Sequence, residues 1–113
     1  MPHIPRSYSH LTEQALLLLG KRIRLARKRR RMSEQELASR IGVARSTMQL
    51  IEKGAPSVAI GLVFEAATIT GVDLFVPEAT TLAPQLERTD DKLALMPGAI
   101  RKPASEADFD DDF

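Results

Sequence analysis

The sequence predicts an all-α domain of about four to five helices, followed by a short C-terminal dimerisation strand and a flexible acidic tail. Three observations carry this. From Leu16 to Ile69 apolar residues recur at the three-and-four spacing of amphipathic helices, and Gly42, Gly54 and Gly71 stand where those patterns stop. The run Val72-Asp73-Leu74-Phe75-Val76 is β-rich and ends at Pro77. The last eight residues, EADFDDDF, hold five acids and no base. With 113 residues and 43% hydrophobic content, the chain can bury one modest core and carry extensions. The boundaries expected are an arm over 1–11, the helical domain over 12–71, a strand and short helical extension over 72–95, and the tail over 96–113.

The opening MPHIPRSYSH holds two prolines and no apolar period, so it reads as an arm. His3 and His10 are the only histidines, and no metal-ligand or catalytic spacing surrounds them. Thr12 can cap a long first helix running to about Arg30. On it Leu16, Leu19, Ile23 and Ala26 form the inward stripe. Leu17 and Leu18 are left either to face a second subunit or to widen the core. The basic run Arg27–Arg31 complements the dipole at that helix's C-terminus. A solvated face and a phosphate-contacting one are both open for it.

Ser33 followed by Glu36 is a capping box, in which hydroxyl and carboxylate each satisfy an orphan amide at a helix start. Leu37, Ala38 and Ile41 give the second helix one apolar face. Small Ala38 allows a close crossing, and Gly42 turns the chain. Ala44 opens a third helix whose Met48 and Ile51 face inward. Arg45, Ser46, Gln49, Leu50 and Lys53 are left facing out. This is a helix-turn-helix, and its outward face suits a DNA major groove. A fourth helix over about Ala59–Thr70 has Leu62, Val63, Ala66 and Ile69 as its core side. A lone five-residue strand after it needs a partner, and its copy in a second subunit is the natural one. A fifth helical turn there is the alternative. Thr80–Leu95 can form a short helix with Pro84 in its first turn and an apolar patch at Leu93 and Leu95.

The order of capping, apolar, small and glycine positions from Leu19 to Val72 resembles the Cro/CI-type (XRE) family, whose fold is lambda-repressor-like. The resemblance implies base reading by Arg45, Ser46 and Gln49, with Leu50 a thymine-methyl contact. It implies phosphate contacts from Ser33, Thr47, Lys53 and Arg27, and a structural ion pair between Arg27 and Glu52. Glu34 stands where that family places a phosphate-binding glutamine, and Ala44 replaces the usual Ser or Thr cap. Val72, Leu74, Phe75 and Val76 become the expected dimer interface. Together with the RKP…DDDF ending, the chain as a whole is similar to HipB-like antitoxins, which partner HipA-type serine/threonine kinase toxins. That resemblance implies a homodimeric autorepressor binding an inverted repeat in double-stranded DNA. It also makes Phe109, Asp110, Asp111, Asp112 and Phe113 candidate kinase-binding residues. A stand-alone XRE-type regulator without a toxin is the alternative.

The charge division suggests two partners of opposite preference, a nucleic acid for the basic half among them, with mutual neutralisation of the halves for solubility as the alternative. The net charge of +1 conceals eleven Lys/Arg against three acids over 20–54, and four against eleven from Ala55 onward. The absence of cysteine excludes disulfide and thiolate chemistry and fits a reducing cytoplasm. Ala15–Leu19 is too short to span a bilayer and lacks signal-peptide flanks. No nucleophile–base pair, phosphate-binding glycine loop or ordered metal-ligand spacing is present, so neither enzyme activity, cofactor nor metal is expected.

Overall fold

The structure, a computed structural model, describes residues 7–100. It divides into two units, Met1–Ala79 and Thr80–Phe113. The first holds α1 (His10–Arg29), α2 (Glu34–Ile41), α3 (Arg45–Glu52) and α4 (Ile60–Thr70). The second holds α5 (Ala83–Ala94), an amphipathic helix with Pro84 in its first turn and no buried residue.

Helix α1 starts earlier than the Thr12 cap anticipates. Ser9 is the N-cap, and its Oγ accepts from the Thr12 backbone N–H at 3.4 Å while its hydroxyl donates to Thr12 Oγ1 at 2.9 Å. Twenty residues of helix, roughly 30 Å at the usual rise, cross the whole unit. Ile23 is fully buried on the expected stripe, with Leu19 packed against the core, whereas Leu17 and Leu18 are about half exposed. The capping box of α2 is complete. Ser33 Oγ accepts from the Glu36 amide at 3.0 Å, and the Ser33 amide donates to Glu36 Oε1 at 2.7 Å. Those bonds hold the Glu36 carboxyl below its usual range. Gly42 then adopts φ 76, a left-handed geometry that costs glycine nothing. The Val43 amide bonds back to the Ala38 carbonyl at 2.9 Å, which sets the corner between α2 and α3. Helix α3 has Ala44 at its N-cap and no side-chain cap.

Leu37 and Ala38 of α2, Met48 and Ile51 of α3, and Ala66 and Ala67 of α4 close over Ile23 to form one core. On α4 the fully buried residues are small. Ala66 and Ala67 lie inside, with Thr70 turning its hydroxyl back to the Ala66 carbonyl at 2.8 Å, while Leu62, Val63 and Ile69 pack at the margin. Helix α4 packs on both α1 and α2, so its centre admits only short side chains. Arg30 donates to the Ile69 carbonyl at 3.0 Å, satisfying a group that the end of α4 leaves open.

Two features fix α1 against α3. A Cβ on Gly20 would stand 2.7 Å from the carbonyl oxygens of both Ile51 and Glu52, so backbone touches backbone there. Two turns on, Arg27 reaches Glu52 with both faces of its fork, Nε to Oε2 at 2.6 Å and Nη2 to Oε1 at 3.0 Å. Its Nη1 donates to the Met32 carbonyl at 2.9 Å. The two residues are 6% and 7% exposed. The hydrogen bonding with Glu52 outweighs desolvation and holds the Arg27 guanidinium pKa above its ordinary value.

The expected strand is not there. Among the described residues no strand forms, and 72–76 runs as a bent connection. Phe75 takes φ 70, and the Val76 amide bonds to the Leu74 carbonyl at 2.8 Å. That tight turn is incompatible with an extended ladder. It sends Val72 and Leu74 to the core margin and leaves Phe75 81% exposed, its ring edge-on to Phe64 at 6.1 Å. The alternation of Val72, Leu74 and Val76 is the pattern of a chain laid along a helical core, and the dimerisation strand built on these residues falls with it. The fifth helix forms later, in the second unit.

Four expectations follow for stability, each measured by urea denaturation. Gly20→Ala, which would favour an isolated helix by about 1 kcal/mol, should instead destabilise by about 1–3 kcal/mol through overpacking. Gly61→Ala, whose Cβ meets nothing within 4 Å, should be neutral or stabilising by up to about 1 kcal/mol. Arg27→Ala should cost about 3–5 kcal/mol, with little dependence on salt, because it strands a buried carboxylate. The Glu36 contribution has the sign of a depressed acid. It is complete above the unfolded carboxyl pKa and lost as pH falls through the lower folded value. The stability gap between wild type and Glu36→Gln should therefore close on acidification below the usual carboxylate range.

Candidate nucleic-acid interface

The outward face of α3 is built by the helical repeat. With Met48 and Ile51 locked inward, Arg45, Ser46, Gln49, Leu50 and Lys53 share the opposite side at offsets of one, four, five and eight residues. Arg45, Ser46 and Lys53 are exposed, Gln49 and Thr47 are half-buried, and Leu50 is 43% exposed. The structure thus gathers the four residues expected to read bases onto one surface, with Lys53 at its C-terminal end. Ser33 lies at the start of α2 with its amide and Oγ both engaged in the capping box. Thr47 sits in the first turn of α3, its amide bonded to the Ala44 carbonyl.

Arg27 is a different matter. Its guanidinium is held on Glu52 and the Met32 carbonyl, which makes it a brace beneath the exposed face of α3. The basic run after it is divided rather than uniform. All four residues after Arg27 are exposed, but Arg30 donates through Nη1 to the Ile69 carbonyl and Arg31 takes φ 57 where the chain leaves α1.

Two residues enter the site that sequence reasoning did not assign to it. Glu34, the first residue of α2, accepts from Arg45 Nε at 3.1 Å and from Gln49 Nε2 at 3.3 Å, both on the same oxygen, Oε1. Gln49 first and Arg45 second hold its carboxyl below the usual range. The contacts span eleven and fifteen residues across the corner, so no local period announces them. Arg24 of α1 lines an open hollow of about 220 Å³ with Glu34, Gln49, Glu52 and Lys53. Its signal was available, because Arg24 lies three residues before Arg27 and so shares its helix face.

Chemically the surface presents forked and amide donors, a hydroxyl and one apolar contact, with cations at its margin. This is equipment for reading base edges and holding phosphates. Among the described residues no cluster of His, Cys, Asp or Glu suited to a metal ion occurs, and no helix is long and apolar enough to cross a membrane. The terminal residues Phe109–Phe113, proposed from the sequence as a partner-binding tail, and His3 of the arm lie outside the described residues.

Comparison with known proteins agrees with this geometry. A family model described as a helix-turn-helix domain matches residues 18–76, about half the chain, spanning most of α1 and all of α2, α3 and α4. Neither a curated protein nor a solved structure matches significantly. The chain belongs to the helix-turn-helix domain family of DNA-binding proteins.

Proposed function

We propose that this protein is a sequence-specific transcriptional repressor that binds double-stranded DNA through α3 and regulates its own gene. The observation that carries this reading is the gathering of Arg45, Ser46, Gln49 and Leu50 on the open face of a helix whose other side is locked into the core. In the major groove Arg45 pairs with guanine O6 and N7, Gln49 with adenine N6 and N7, and Leu50 touches a thymine methyl. Ser33, Thr47 and Lys53 hold phosphates on either side. An eight-residue reading helix spans only a few base pairs. A homodimer on an inverted repeat, with half-sites one turn of DNA apart, supplies the remaining specificity.

A narrower reading makes the repressor the antitoxin of a HipA-type serine/threonine kinase. It rests on the resemblance of the whole chain to HipB-like regulators and on the acid-ended C-terminus. Co-purification of the full chain with a kinase encoded beside it separates this reading from a stand-alone regulator.

The test is fluorescence anisotropy with the DNA upstream of the gene and a scrambled duplex, across a salt series. Tighter binding to the native fragment that persists near physiological salt is expected. Arg45→Ala should lower discrimination between the two by about 1–3 kcal/mol. Lys53→Ala should weaken both alike and reduce the salt slope by about one. Equal binding to both duplexes that vanishes with salt would reduce the surface to an electrostatic anchor.

A further inference from the structure

We propose that Glu34 is a specificity-determining residue. Its carboxylate holds Arg45 and Gln49 together as one preassembled reading unit and opposes the binding of DNA that does not match that unit. The assignment rests on the reading of α3 as the DNA-reading helix.

The geometry divides the donors in a way that leaves both readers able to read. Arg45 gives Glu34 its Nε–H, the side of the guanidinium nearest the chain, so both terminal Nη groups remain to make a two-pronged contact with a guanine edge. Gln49 gives one of its two Nε2 hydrogens. An anionic acceptor fixes which end of the amide faces Glu34, because only the NH₂ end can donate to it. The carbonyl end is then turned away, and the second N–H stays free, the pair of groups that an adenine edge requires. The carboxylate therefore settles the side-chain freedom that Arg45 and Gln49 would otherwise lose on binding.

The anchor itself is rigid. Glu34 is the first residue of α2, directly after the Ser33 cap, and its charge is stabilised by the helix N-terminus. Its side chain is 24% exposed against 61% for Arg45, so the carboxylate lies recessed beneath the guanidinium that it holds. Arg24, Arg27 and Lys53 supply positive charge from α1 and α3, with Glu52 the other nearby acid. An anion at this position also repels the phosphates of any duplex that approaches. Matching bases offset that repulsion through the two fixed readers, while a mismatched sequence meets it without compensation.

The experiment begins with selection of a preferred duplex from a random DNA pool by the full wild-type chain. Binding to that duplex and to a scrambled one is then compared for wild type, Glu34→Ala and Glu34→Gln, with folding checked by urea denaturation. Glu34→Ala is expected to bind the scrambled duplex several-fold more tightly and to lose about tenfold of the ratio between the two duplexes. Glu34→Gln, which keeps one acceptor but no charge, is expected to fall between. In a background of Arg45→Ala with Gln49→Ala, removing Glu34 should leave the ratio where that background sets it. An unchanged ratio in Glu34→Ala would overturn the proposal and leave Glu34 a repulsive charge alone. A further loss of ratio in the double-variant background would overturn it as well, since Glu34 would then act independently of the two readers. Failure of the wild type to enrich any sequence would instead remove the DNA-reading assignment itself, and this one with it.

Discussion

A buried guanidinium–carboxylate pair joins α1 to α3, and the exposed face of α3 depends on it for its angle. A helix of eight residues is too short to be stable alone, so α3 exists because it is packed. Arg27 grips it near its C-terminus through two hydrogen bonds, while the bare backbone of Gly20 lets α1 lie directly on the carbonyls of the last turn. Met48 and Ile51 close the remaining degree of freedom by anchoring the inner face to Leu37 and Ala38. Rotation of α3 about its axis would break the ion pair and bury a polar surface at once. A bidentate pair is directional where apolar packing is not, which is the physical use of placing charges in a core this small.

The same logic operates again at the surface, with exposure changing its consequences. Glu34 and Arg45 form the only other ion pair found among the described residues, and it too joins different helices. Arg27 and Glu52 exclude water and hold a backbone arrangement. Glu34 and Arg45 sit in solvent, where the energy of such a pair is small. What that pair decides is orientation, because it selects which donors of the guanidinium and which end of the Gln49 amide face outward. One contact thus fixes the helix and the other fixes the side chains that the helix displays.

The basic and acidic halves of the sequence coincide with this division of labour. The cations over 20–54 fall on α1, α2 and α3 and on the turns that follow α1 and α3, although Arg27 is buried on Glu52 and the exposed Arg30 is bonded to the Ile69 carbonyl. The charge count therefore overstates what a phosphate backbone would meet. The acidic half begins after α3 and continues through α5, whose apolar residues Leu86 and Leu93 stay exposed and lie seven positions apart. No residue of α5 is buried.

The sequence by itself determined the helical class, the capped start of α2 at Ser33, the glycine corner at Gly42 and the outward face of α3. These are local properties, written in spacings of three and four residues and in residues whose backbone preferences act within one turn. The pairing of Arg27 with Glu52 was legible too, but only through resemblance, since nothing in a periodic pattern joins positions twenty-five residues apart. Tertiary structure decided the rest. The run at 72–76 alternates like a strand, yet packing of Val72 and Leu74 along the helical core and the positive φ at Phe75 bend it into a turn. The basic run at the end of α1 reads as one face, yet the position of α4 draws Arg30 away from it. Glu34 reads as a departure in a phosphate clamp, and only the angle between α2 and α3 places its carboxylate beside Arg45 and Gln49. Local pattern specifies which atoms a helix presents, whereas the crossing of helices, a sum of distant contacts, specifies what those atoms meet.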